Sequence, residues 1–224
     1  LDKNSVTEKK VKPTIAIFRH DPECSQECID GIVAALSGDF QIHVLDEHQY
    51  TLDNLRDIDI VAFPGGIGDA KGYYNFFKRR NSNTIADFVA NGGKYLGICM
   101  GAYWAGADYF DLLDGLEPVQ YIKRDGADVR RSYGTIAKVD WGNKPYNMFF
   151  YDGCTFKGDG RSQIIARYAN GDPMAIIQKR VGLMGCHPES LQGWYDKPYL
   201  KKHYHNGIHH ELLLSFTKRL LRAK

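Results

Sequence analysis

The sequence lacks any long apolar run: nothing in it approaches the roughly 20 residues that span a bilayer, and the polar, lysine-rich opening from Leu1 to Lys12 contains no apolar signal core. A membrane-spanning or membrane-bound role is therefore not expected. It also lacks a surplus of either charge. Twenty-nine Lys and Arg face 27 Asp and Glu, for a net charge of +2, and the cations are spread along the chain. That balance leaves no electrostatic footprint for nucleic acid. Paired C-x-x-C motifs are missing, and the cysteines are odd in number: Cys24, Cys28, Cys99, Cys154 and Cys186. Both features argue against a disulfide framework and a zinc knuckle, so reduced cysteines are expected. No cofactor motif, internal repeat or low-complexity linker is present. Neither a cofactor nor a resident metal is expected.

What is there reads as a globular chain. Hydrophobic residues make up 43% and charged residues 25% of 224 positions, enough for one substantial core. The expected organisation is a flexible tail over residues 1–12 and a single domain over 13–224. Because the chain opens at Leu1, removal of an upstream segment is expected, and the compartment stays open between the cytoplasm and export.

In the first half, short β-prone runs alternate with helical patterns. Strands are predicted at 14–18, 41–45, 59–63 and 94–98, and helices at about 25–36, through 73–77, and at 84–90. Arg19-His20-Asp21-Pro22 reads as a loop, and Asn91-Gly92-Gly93 as a helix stop. This alternation implies a parallel sheet covered on both faces, with ligands beyond the carboxyl ends of its strands. Past Asp111 the pattern turns to β-prone pieces at 119–122, 135–139, 148–151, 164–168, 175–178 and 182–185, separated by Gly- and Asn-rich turns. That half should be mostly antiparallel. An amphipathic helix is predicted over 212–221.

Three strand ends carry chemical character. The fourth strand ends at Gly97-Ile98-Cys99-Met100-Gly101, followed by a helix expected to begin near Ala102. A nucleophile on so sharp a turn needs positive φ and small flanking residues. The helix would aim free N–H groups at the sulfur, favouring the reactive thiolate. A buried structural cysteine would explain the same five residues equally well. The third strand runs into Pro64-Gly65-Gly66-Ile67-Gly68-Asp69, whose uncovered N–H groups could bind an oxyanion, although a plain turn has the same composition. The last β-prone piece ends on Cys186-His187-Pro188-Glu189. In an extended segment, His187 and Glu189 point to one side, so the carboxylate can hold one ring nitrogen while the other faces a thiol.

Taken in that order, the blocks Phe63-Pro64-Gly65-Gly66, Gly97 to Trp104, Tyr151-Asp152-Gly153-Cys154-Thr155-Phe156 and Gly185-Cys186-His187-Pro188-Glu189 resemble the class I glutamine amidotransferase-like superfamily. More narrowly, they resemble the amidotransferase-like domain at the N-terminus of biotin-protein ligases. The resemblance covers residues 14–189. It implies a three-layer, flavodoxin-like α/β sandwich with a mostly parallel central sheet plus antiparallel strands in the C-terminal half. It also implies Cys99 as nucleophile, His187 as base and then acid, and Glu189 as orienter. Backbone N–H groups near Gly66 and Met100 would be oxyanion donors, with Gly65, Tyr103, Asp152 and Gly153 beside the substrate. Glutaminase members place Gln four residues after the nucleophile, whereas this chain has Tyr103, which argues against glutamine as substrate. No ligase domain is expected within these residues.

The expected activity is thus hydrolysis of an amide or related acyl group. The alternative is a non-catalytic module that binds a ligand or partner protein. The expected partner is a small-molecule or amide substrate, not nucleic acid or a membrane, with a partner protein or a homo-oligomer as the other option. His203, His205, His209 and His210 have metal-like spacing, but without an accompanying carboxylate or Cys pattern they read as a solvated loop entering the last helix. The Trp194-to-Tyr199 stretch could be an aromatic rim over the site or plain packing.

Overall fold

The computed structural model of the protein describes residues 11–19, 26–66, 73–78 and 83–224. The first half contains β1 (Thr14–Arg19), α1 (Gln26–Leu36), β2 (Gln41–Asp46), β3 (Ile60–Phe63), a π-helical turn (Tyr74–Lys78), α2 (Thr84–Ala90), β4 (Lys94–Ile98) and the single-turn α3 (Met100–Tyr103). The second half contains β5 (Leu116–Gln120), β6 (Thr135–Trp141), β7 (Lys144–Phe150), β8 (Cys154–Gly158), β9 (Gln163–Tyr168), β10 (Pro173–Gln178), β11 (Val181–Met184) and α4 (Ile208–Leu221).

Nine strands form one sheet in the order β2-β1-β3-β4-β11-β10-β9-β6-β7, and β5 and β8 pair separately. The first five in that order are mutually parallel. This is the 2-1-3-4-5 arrangement of a flavodoxin-like fold, with the late strand β11 in the fifth place. The remaining pairings, β11 to β10 and onward to β7, are antiparallel. Register aligns the strand ends that matter: Phe63 is opposite Gly97, and Met184 opposite Ile98.

Side-chain alternation with a period of two sends the central strands into two cores. Ile15, Ile17, Ile60, Ala62, Leu96 and Ile98 share one core with Ile29, Ile32 and Leu36 of α1 and Leu213, Phe216 and Leu220 of α4. Ala16, Phe18, Val61, Phe63 and Tyr95 face the other, with Phe77, Ile85, Phe88, Trp104 and Phe110. Phe63 is at the middle of that second layer, stacked on Phe18 at 4.9 Å and on Tyr95 at 5.3 Å, with Phe110 edge-on at 5.1 Å. Three layers result, with no helix among the described residues long and apolar enough to cross a membrane.

Four expectations need correction. Helix α3 starts at Met100, not near Ala102, and stops at Tyr103. Cys154–Gly158 forms a strand that the reading passed over, because its five residues are hemmed in by Asp152-Gly153 and Gly158-Asp159-Gly160 turn signals. The piece expected at 119–122 belongs to a strand that ends at Gln120, and Tyr121–Lys123 is a 3-10 turn. The last helix begins four residues early, at Ile208, after Gly207 with φ 89°. The tail over 1–10, the loop at His20-Asp21-Pro22, Cys24, the start of the first helix at Ser25 and the Ile67-Gly68-Asp69 part of the glycine-rich turn lie outside the described residues.

Candidate active site

Cys99 sits between β4 and α3 with φ 52° and ψ −104°. A left-handed backbone at a non-glycine residue costs on the order of 1–3 kcal/mol and persists only where its surroundings enforce it. The enforcement is steric. A Cβ on Gly97 would press on the Gly101 carbonyl carbon at 2.7 Å, and one on Gly101 would overlap the Phe63 carbonyl. The elbow therefore closes only with glycine at both positions. Cys99 N–H donates to the Met184 carbonyl at 2.9 Å, tying the elbow to the end of β11. With one turn only, α3 supplies little macrodipole; what it offers is the N–H of Met100, which has no acceptor within the helix.

Beyond β11 the chain carries His187 and Glu189 into the interior, where they are 3% and 0% exposed. His187 Nδ1 and Glu189 Oε1 are 2.7 Å apart. The chain at this point is also tied to the far edge of the sheet, because the His187 backbone N–H donates to the Phe149 carbonyl of β7 at 2.8 Å. Burial alone would push the imidazole towards neutrality. The Glu189 charge, then the Cys99 and Cys28 thiols, overcome burial and hold it well above its ordinary value. The ring is therefore paired with a carboxylate and adjacent to two sulfurs.

The second sulfur is the functional residue that the reading missed. Cys28 lies in the first turn of α1, buried on the same face as Gly31. Helix α1 follows β1, so its N-terminus stands at the carboxyl edge of the sheet, and a Cys in that turn was a usable signal. Two glycines admit it. A Cβ on Gly65 would come within 2.7 Å of His187 Cε1 and 3.1 Å of Cys28 Sγ, and one on Gly31 would overlap the Glu189 carbonyl oxygen and come within 2.9 Å of its Cγ. Burial pushes the Cys28 thiol up, with His187 pulling the other way. Potential ligand atoms of Cys28, His187 and Glu189 all lie within 4.8 Å of one another. Cys154 and Cys186 are fully buried core thiols, both pushed up by burial.

On the open side, Cys99 Sγ donates to the Tyr151 carbonyl at 3.3 Å. The loop that carries this carbonyl is held by two further bonds. Tyr103 Oη donates to the Asp152 carbonyl at 2.9 Å, and Gln120 Nε2 donates to the Asp152 carboxylate at 3.0 and 3.1 Å. Asp152 itself has φ 47°, and Gly153 has no room for a Cβ against the Gly185 carbonyl. Of the residues singled out in the sequence, Cys99, Met100, Tyr103, Gly65, Asp152, Gly153, His187 and Glu189 thus meet at one sheet edge, with Gly66 directly after Gly65. Trp194 closes the side wall, edge-on to His187 at 5.4 Å and to Phe149 at 5.2 Å.

The histidines expected in a solvated loop are instead a buried brace. His205 and His209 are 6% and 4% exposed, with rings stacked at 4.4 Å. His205 Nδ1 accepts from the N–H groups of Gly207 and His209, so its Nε2–H donates to the Ser190 carbonyl at 2.8 Å. This fixes a neutral tautomer. His210 Nε2 reaches the carbonyls of Glu189 and Ser190 at 3.1 and 3.2 Å. Burial lowers His205 and, with the neighbouring histidines, takes His209 down to about 3. The spacing signalled a cluster, but its acceptors come from a distant loop and were not readable locally.

Residues 20–112 match the family described as biotin-protein ligase, N terminal. A Chlamydia muridarum protein described only as uncharacterized is 28% identical over 188 residues, covering 71% of this chain and 68% of its own. A glutamine amidotransferase from Thermotoga maritima superposes with a TM-score of 0.66 at 14% identity, over 94% of this chain and 99% of that one. A glutamine amidotransferase from Methylobacillus flagellatus gives 0.61 at 13% identity, over 96% and 97%. The chain thus has the fold of these glutamine amidotransferases and, over residues 20–112, is similar to the biotin-protein ligase N-terminal family.

Proposed function

We propose that the protein is a cysteine-dependent amidase or hydrolase acting on an amide or related acyl group. The observation that carries this reading is the buried 2.7 Å contact between His187 and Glu189 at the end of β11, beside a cysteine held at φ 52° at the end of the adjoining β4. In the reaction, Cys99 Sγ attacks the acyl carbon and its proton resides on His187. The oxyanion is received by the N–H groups of Met100 and Gly66, His187 protonates the leaving nitrogen, and water releases the acyl group. Glu189 keeps the ring oriented and its charge compensated. Glutamine is a poor fit as substrate, because the Tyr103 hydroxyl is committed to the Asp152 carbonyl. The test is turnover of a panel of small amides and thioesters by wild type, Cys99→Ala and His187→Ala. Turnover confined to the wild type supports the reading, and equal rates in all three discard it.

One observation favours a second reading, a non-catalytic binding module: the Cys99 thiol donates to Tyr151, within a loop pinned by Tyr103 and Gln120. Thermal-shift screening with amides, amino acids and biotin-related compounds separates the two. A ligand that stabilises Cys99→Ala and wild type alike, with turnover in neither, selects the module.

A further inference from the structure

We propose that Cys28, His187 and Glu189 constitute a site for a thiophilic divalent transition metal of the zinc type. The three come from α1 and the loop after β11, are all buried, and offer one sulfur, one nitrogen and one oxygen within 4.8 Å of one another. A tetrahedral Zn²⁺ takes such donors at about 2.0–2.3 Å, which sets donor pairs roughly 3.5 Å apart, so the His187–Glu189 pair, hydrogen-bonded at 2.7 Å, would open while wider pairs close in by up to about 1 Å. A second, independent observation points to a ligand. Glu189 Oε2 is buried without a hydrogen-bond partner among the described residues, although a buried carboxylate oxygen ordinarily has one. A cation between Cys28 and His187 would give that carboxylate its missing partner. Gly65 keeps the space between two of the donors clear, since a Cβ there would come within 2.7 Å of His187 Cε1 and 3.1 Å of Cys28 Sγ.

Thiolate, imidazole and carboxylate together suit zinc far better than magnesium or calcium, which take oxygen ligands. Three protein donors leave a fourth position for water or for Cys99, which flanks the same imidazole. The His205, His209 and His210 cluster is the weaker candidate, because it has no thiolate or carboxylate beside its imidazoles and does not bring three donor atoms together. Metal binding stands without the amidase reading. Only its consequence rests on that reading: metal on His187 and Glu189 would withdraw the base and its orienter, so occupancy and turnover would exclude each other.

The experiment is titration of untagged full-chain protein with Zn²⁺ against a chromophoric chelator, alongside Co²⁺ absorption spectra. The expected result is one metal per chain and a thiolate-to-cobalt charge-transfer band. Cys28→Ala and Cys28→Ser should each bind at least ten-fold more weakly and lose the band, while His209→Phe binds as wild type. The two Cys28 variants guard against a folding defect in either. Absence of one-to-one binding in wild type, absence of the thiolate band, or binding unchanged in a folded Cys28 variant overturns the proposal. None of these readouts uses turnover, so a failed amidase assay leaves the result intact.

Discussion

His187 has two sides, and each presents a cysteine on a different kind of backbone. On the elbow side, Cys99 sits at φ 52° in a turn that closes only because Gly97 and Gly101 lack side chains. On the helix side, Cys28 lies within the regular α1, near Gly31, and the Glu189 it approaches is held from behind by His210 of the histidine brace. Both sulfurs act on one imidazole. The difference teaches that residue type and proximity do not tell the two cysteines apart. The strained, carbonyl-lined turn does, because strain is maintained only where the surroundings over-determine it.

The comparison breaks first at the elbow. Gly101→Ala places a methyl group on the Phe63 carbonyl, which cannot move without disrupting β3. Urea denaturation should show a loss of more than about 4 kcal/mol or no folded protein, a size reserved for such backbone clashes. Gly38→Ala, where a Cβ meets nothing within 4 Å, should stay within about 0.5 kcal/mol or gain slightly. Equal losses at the two glycines would remove the elbow's special status.

On the helix side, the larger effect is pH-dependent. His209 is depressed to about 3 by burial and by its histidine neighbours. Its protonation favours the unfolded chain, so its contribution is present above about 6.5 and is lost as pH falls towards 3. Linkage from that depression puts the loss on the order of 2–3 kcal/mol by pH 4.5. His209→Phe should flatten the acid limb of a melting-temperature profile relative to wild type. His187 runs the opposite way: its pKa is raised, so its contribution is complete below about 6.5 and is lost as pH rises through the higher folded value. A profile in which His209→Phe and wild type fall in parallel would show that the brace is solvated after all.

Smaller effects test how each side holds its loop. Gly31→Ala sets a Cβ onto the Glu189 carbonyl oxygen, a backbone overlap less severe than that at Gly101, and should cost about 2–3 kcal/mol. Tyr103→Phe removes the hydroxyl that bonds the Asp152 carbonyl and should cost about 1 kcal/mol. It should also speed Cys99 alkylation by releasing the Tyr151–Gly153 loop. Unchanged alkylation would mean that the loop does not gate the thiol.

These two sides were unequally legible in the sequence. The elbow was readable because its requirements are local: Gly97, Cys99 and Gly101 are neighbours, and the φ they impose follows from sterics. His187 and Glu189 were readable because an extended segment fixes which side each faces. The parallel half of the sheet followed from alternation of strands and helices. The helix side depends on tertiary contacts. Cys28 meets His187 only because β11 enters the sheet beside β4, a pairing of residues 86 positions apart in sequence (Val181 with Tyr95) that no local pattern encodes. The histidine brace failed for the same reason, since its partners are the carbonyls of Glu189 and Ser190 rather than anything nearby in the chain. Strand β8 was hidden between two turn signals, and its pairing with β5 is likewise non-local.

The claim that Cys99, and not Cys28, is the nucleophile partnered by His187 is tested most directly by alkylation kinetics. Wild type and His187→Ala would be treated with iodoacetamide at pH 7, with adducts at each cysteine followed by mass spectrometry. The account predicts that Cys99 reacts at least ten-fold faster than Cys28 in wild type and that His187→Ala largely removes this advantage. Equal rates at the two cysteines in wild type, or a Cys99 rate indifferent to loss of the imidazole, would contradict it.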